Sequence, residues 1–195
     1  MVEKTHEAIN MPWEDERARV FVSDIGIISS NGKYGYNLMS CEWTHQISYN
    51  PARISISVNK ESATLENIME RKYFGVNILE EKQALVSSIC GNISGKDVDK
   101  ISVIKALGYE FEKAKYIDVL LLRDALFNAE CKVINILDIG DHVLFIGDII
   151  EAKRRNGAPL IYHAASYWKI GEKLSRPSKE EVDKINAIIE KFKKN

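Results

Sequence analysis

Alternation of apolar and polar side chains is clearest over residues 53–58, where Ile54, Ile56 and Val58 stand against Ser55 and Ser57. A period of two marks a strand with one buried face. Past Asn59 the period changes: Leu65, Ile68 and Met69 recur at helical spacing, so the strand empties into a helix over 63–71. Upstream, residues 20–29 read as a strand ended by the turn residues Ser30-Asn31-Gly32. Residues 34–45 read as the returning strand, with a break at Asn50-Pro51. A short strand is predicted over 73–79, a helix over 80–90, a loop over 91–97 and a helix over 98–107 closed by Gly108. The remainder is strand-rich: 109–113, 119–122, 127–137, 142–153, 159–162 and 167–170, with a turn at Asp138-Ile139-Gly140-Asp141. Ser178 and Glu181 stand in capping-box register ahead of a last helix, whose Val182, Ile185, Ile188, Ile189 and Phe192 form one stripe.

Long strands joined by short turns predict a mainly β fold with peripheral helices, a closed or nearly closed barrel that leaves few exposed edges. The chain divides into an N-terminal arm (1–19), one domain (20–175) and a C-terminal amphipathic helix (176–195) packing on the barrel or on a partner subunit. At 195 residues a second full domain is crowded out. Apolar content of 45% and charged content of 28% are those of an ordinary globular protein. A net charge of −1 argues against nucleic acid as a partner. No apolar run approaches the ~20 residues of a membrane span, and the N-terminus carries no signal-like core, so a cytoplasmic location is expected. Cys41, Cys90 and Cys131 contain no CxxC pair and read as free, mostly buried thiols. Cys41 and His45, four apart on one predicted strand, fall short of a metal site.

Ser62 and Thr64 lie in the first turn of the predicted helix, where unpaired backbone amides and partial positive charge favour an anion. Lys60 adds a cation, and no Glu or Gln stands at capping-box spacing from either hydroxyl. An ordinary Ser or Thr N-cap explains the same residues. Asn37, Met39, Cys41 and Trp43 share one face of the second strand and Ser40 the other, so Ser40 is expected to act through its backbone. Trp43 suits an aromatic ligand and equally a barrel core. His142 suits a site and equally a satisfied turn.

In order and spacing, Asn37-x-Met39-Ser40-Cys41-x-Trp43, Ser48-x-x-Pro51, Ser62-x-Thr64, Phe74 to Leu79, Cys131-Lys132-Val133, Gly140 to Asp148, Pro159 to Tyr162 and Ser166-Tyr167-Trp168 resemble the flavin reductase family of FMN-binding split-barrel proteins. The likeness is to the flavoredoxin and archaeal flavin or ferric reductase branch. It implies a Greek-key split β-barrel, a homodimer, bound FMN, and NADH or NADPH docking beside the flavin without a Rossmann unit. Under it, Ser62 and Thr64 with Lys60 grip the phosphate. Asn37, Met39, Ser40, Cys41 and Trp43 place the ring, and Asn77 joins them. Lys100 and His142 tune the flavin as the catalytic pair. The implied activity is an NAD(P)H-dependent flavin reductase passing electrons to free flavin, ferric iron or a protein acceptor. A flavoredoxin-like electron carrier reduced by a partner protein is the alternative, and a non-catalytic ligand-binding barrel the third reading.

Overall fold

The computed structural model describes residues 8–193. Seven antiparallel strands form the main sheet: β2 (Gly26–Ser30), β3 (Asn37–Cys41), β4 (Thr44–Tyr49), β5 (Ala52–Asn59), β6 (Tyr73–Ile78), β9 (Phe127–Ile139) and β10 (His142–Arg154), in the order β3-β2-β6-β9-β10-β5-β4. Its two rims, β3 and β4, are consecutive in the chain and joined only by Glu42 and Trp43. The sheet therefore curls until its rims meet without pairing, a split barrel. Across the seam the Cys41 thiol donates to the Ser57 carbonyl at 3.2 Å, and the Ser57 amide donates to the Trp43 carbonyl at 3.1 Å.

The remaining strands are short. β1 (Val22–Asp24), β11 (Ile161–His163) and β12 (Ser166–Trp168) form a three-stranded flank, and β7 (Phe111–Lys113) pairs with β8 (Leu120–Leu122). Among the described residues four α-helices complete the fold: α1 (Ala63–Arg71), α2 (Ala84–Asn92), α3 (Lys100–Ala106) and α4 (Lys179–Lys191).

Alternation decides which layer each side chain enters. Ile28, Cys41, Ile56, Val58, Phe74 and Phe145 fill the barrel together with Ile68 of α1. Ile27 and Leu38, one residue out of phase, face the outer core built with Val86, Cys90, Ile101 and Ile104 of α2 and α3. β2 is thus buried on both faces and β3 largely so, and fully burying one such side chain stabilises by about 1.5–3 kcal/mol. Buried charge is pinned as well. The Glu130 carboxylate, 2% exposed, accepts the amides of Lys115, Tyr116 and Ile117 at 2.6, 2.7 and 3.1 Å, tying the 114–118 loop to β9.

Several expectations are corrected. The strand expected over 20–29 is two strands in different sheets, split at buried Ile25, because β1 leaves to pair with β11. The strand expected over 34–45 breaks at Glu42–Trp43, where the chain crosses from one rim to the other, so Cys41 and His45 lie on different strands. The helix expected over 80–90 opens with a 3₁₀ turn at Glu81–Gln83, and the next helix starts at Lys100 behind its N-cap Asp99. All three cysteines are free and buried. The capping box at Ser178 and Glu181 forms, but the α4 stripe finds no cover: Val182, Ile185, Ile188, Ile189 and Phe192 are 42–78% exposed. Of the expected arm, residues 1–7 lie outside the described residues, as do 194–195 of the last segment, and Trp13 is 54% exposed. Among the described residues no helix is long and apolar enough to cross a membrane.

Candidate functional site

Asn37, Cys41, Ser62 and Thr64 of the sequence-derived candidates line the seam. Strand β3 pairs on one side only, with β2, so alternate backbone N–H and C=O groups along its free side have no strand partner. Facing it, β5 ends and α1 begins. Ser62 caps the helix, its Oγ accepting the Leu65 amide at 3.1 Å. The amides of Ala63 and Thr64, the first two of the helix, have no partner within it. Thr64, fully buried, accepts a 2.9 Å hydrogen bond from Asn37 Nδ2 through its Oγ1. The positive end of α1 is thereby held against the rim strand.

The segment between α2 and α3 closes over the same strand. A Cβ on Gly95 would lie 2.1 Å from Asn37 Oδ1, so only glycine allows the loop to come this close. Ser40 faces away from Asn37, its Oγ 2.9 Å from Ser87 Oγ of α2. Lys100 is 3% exposed and its Nζ donates to the Cys90 carbonyl at 3.2 Å. An ammonium has three donors. No carboxylate pairs with it among the described residues, and burial lowers its pKa. A lysine placed like this suits an electron-rich acceptor brought up from outside.

At the far end of β3, Trp43 is 49% exposed and its ring meets that of His142 at 4.9 Å and 53°. His142 Nδ1 lies 2.8 Å from Asp141 Oδ1, a contact that holds the Asp141 carboxyl below its usual range. The Cys41 thiol is pushed up to about 11 by burial. It is a neutral seam contact.

Two candidates stand apart. Lys60 Nζ pairs with Asp138 Oδ1 at 2.8 Å across the β9–β10 turn, instead of leaning over the first turn of α1. Asn77 is fully buried: its Nδ2 donates to Ile27 O and Ser29 Oγ, and its Oδ1 accepts from Leu122 N and Asn128 Nδ2. That amide has no capacity left for a ligand, so Asn77 braces β6 and stays out of the seam. Met39 is half-buried and packs toward the barrel core.

Sequence reasoning missed Lys96. Its Nζ lies 3.2 Å from Glu66 Oε1 in the first turns of α1, and Lys33 holds the other carboxylate oxygen at 2.6 Å. Lys33 and Lys96 together press the Glu66 carboxyl down to about 2. The signal available in the sequence was a lysine beside Gly95 in the loop expected over 91–97. The donors along the seam are two helix amides and a rim of unpaired backbone, with an exposed indole at the far end. That set fits an acceptor-rich, anionic, flat ligand such as FMN.

Residues 18–171 match the family described as flavin reductase like domain. The ferric-chelate reductase (NAD(P)H) of Archaeoglobus fulgidus is 27% identical over 119 residues, 61% of this chain and 68% of that protein. The flavin reductase (NADH) of Kitasatospora aureofaciens is 27% identical over 138 residues, 69% of each chain. Among solved structures, flavoredoxin from Methanosarcina acetivorans superposes with a TM-score of 0.74 at 24% identity, covering 89% of this chain and 97% of its own.

Proposed function

The chain belongs to the flavin reductase like domain family, and from that premise we propose that it holds FMN in the seam and acts as an NAD(P)H-dependent flavin reductase. The observation that carries the reading is the Asn37–Thr64 bond, which sets two free helix amides against a rim strand with unpaired backbone. Bound there, the flavin would supply the redox chemistry, with NADH or NADPH as the hydride donor and free flavin, ferric iron or a protein as the acceptor. The chain's own residues bind and tune. The Ala63 and Thr64 amides hold the phosphate, with Ser62 keeping the helix end ordered. The free backbone of β3 around Ser40 reads the polar edge of the ring, and Trp43 covers its apolar face. Lys100 stabilises negative charge on the ring, and His142, held at Nδ1 by Asp141, tunes it from its place beside Trp43.

Relatives named ferric-chelate reductase (NAD(P)H) and flavin reductase (NADH) support the reductase reading. The likeness to flavoredoxin supports a second one, an FMN electron carrier reduced by a partner protein. An absorption spectrum separates them. Flavin taken up by the protein should bleach on addition of NADH or NADPH if it is a reductase, and only with a reduced protein partner if it is a carrier. We also propose a homodimer, with a second copy covering the apolar stripe of α4. Light scattering at the peak of a sizing column should give twice the 22.2 kDa chain mass.

A further inference from the structure

Among the described residues three side chains of β3 hydrogen-bond to other elements, and they divide by direction. Asn37 and Cys41 reach across the seam, to Thr64 of α1 at 2.9 Å and to the Ser57 carbonyl of β5 at 3.2 Å. Ser40 reaches the other way, to α2, where its Oγ stands 2.9 Å from Ser87 Oγ. Leu38, on the same face of the strand as Ser40, lies in the outer core with Val86 and Cys90 of α2, so Ser40 is a polar position against an apolar layer. A hydroxyl placed there needs a partner. Ser87, 2% exposed, is that partner. One turn further along α2, Gly91 brings the helix backbone to the same spot: a Cβ on it would stand 3.4 Å from Ser40 Cβ.

β3 pairs with β2 alone, so along its open side it is held by side chains rather than by a ladder. The pull of Asn37 and Cys41 across the seam is met from behind by one hydrogen bond. We propose that Ser87 is a positioning residue of the flavin site: through Ser40 it sets the depth at which the free backbone of β3 meets the polar edge of the ring. The inference rests on the proposed flavin site and deepens it, assigning a role to a side chain that touches no ligand. Backbone donors fixed in place favour the negative charge that reduction puts on the ring, and a strand free to shift meets that charge less well. Alanine is a better helix former than serine, so Ser87→Ala removes the hydroxyl without weakening α2 itself. The contact of Lys100 Nζ with the Cys90 carbonyl of α2 at 3.2 Å is untouched by that change.

The test uses the full chain loaded with FMN, with the flavin midpoint potential as the readout. Ser87→Ala and Ser40→Ala should each shift the potential negative. The double variant should shift it no further than either alone, because both changes remove one contact. FMN affinity should fall by less than about threefold, since the phosphate is held at α1. Ser40→Thr keeps the hydroxyl on a β-branched side chain suited to a strand, and should hold the parent's potential. In the flavin-free protein, amide hydrogen exchange in β3 should quicken about tenfold in either Ala variant, the effect of one lost hydrogen bond, while β9 and β10 keep their rates. A potential unmoved in both Ala variants overturns the proposal and leaves the flavin reading in place, whether or not stability to urea falls. Additive shifts in the double variant part Ser87 from Ser40 and overturn it too. A parent protein that takes up no FMN overturns it together with the flavin reading.

Discussion

Asn37 Nδ2 and Thr64 Oγ1 meet at 2.9 Å, and both residues are buried. This single hydrogen bond joins the rim strand β3 to the first turn of α1. Thr64→Val preserves the shape of the side chain and removes the acceptor, stranding a buried amide at a cost of about 1–3 kcal/mol. Urea unfolding should show that loss, and equilibrium dialysis should show FMN affinity falling at least about tenfold. Thr64→Ser should restore both. A Val variant with unchanged FMN affinity places the phosphate away from α1.

Gly95→Ala tests the approach of the loop without touching any hydrogen-bonding group. The added methyl group meets Asn37 Oδ1 at 2.1 Å, so either the loop lifts or the amide turns. FMN affinity should fall by about tenfold or more, with destabilisation of about 1–3 kcal/mol, the usual size of an overpacking effect. Retention of both values means the loop and Asn37 part freely.

Tryptophan emission reads the opposite end of the seam. Trp43 is half exposed beside His142, so FMN binding should quench it. The quench should largely vanish in Trp43→Phe and persist in Trp13→Phe. A quench that survives in Trp43→Phe moves the ring off this end of β3.

Much of this architecture was legible beforehand because local periods carried it. The change from period two to helical spacing after Val58 located both α1 and the strand feeding it. Ser178 and Glu181 located the start of α4. The break at Glu42–Trp43 was not legible, because neither residue is a glycine or proline and the chain turns there only to pass between two rims. Glu130 was equally hidden: it shares the polar positions of an alternating strand with Asn128 and Lys132, and is buried only because three amides from residues 115–117 converge on it. Asn37 and Thr64 were each legible as polar groups near a helix start. Their contact, between residues 27 positions apart, was not.

Alkaline stability has a definite sign. Burial pushes the Cys41 thiol to about 11 and those of Cys90 and Cys131 to about 12. Their folded pKa values are raised, so the stability they contribute is present below about pH 8.5 and is lost as pH climbs toward the folded values. Each ionising thiol removes about 1.4 kcal/mol per pH unit in that window. Lys100 opposes them. Its folded pKa is lowered, so the unfolded chain holds the proton longer and stability rises with pH toward the ordinary lysine value. Three groups outweigh one, and urea unfolding at pH 8 and pH 10 should show a net loss of about 2–4 kcal/mol. Lys100→Met should steepen that loss and also shift the flavin midpoint potential negative. A midpoint that stays in place separates the lysine from the ring.

The two rims of the barrel are tied by a joint of two residues, Glu42 and Trp43. That joint is the caliper of the cleft. Lengthening it leaves all six strand pairings of the main sheet formally intact, yet slackens the gap that a flat ligand must fill. The width of the opening is thus carried by one short step of backbone.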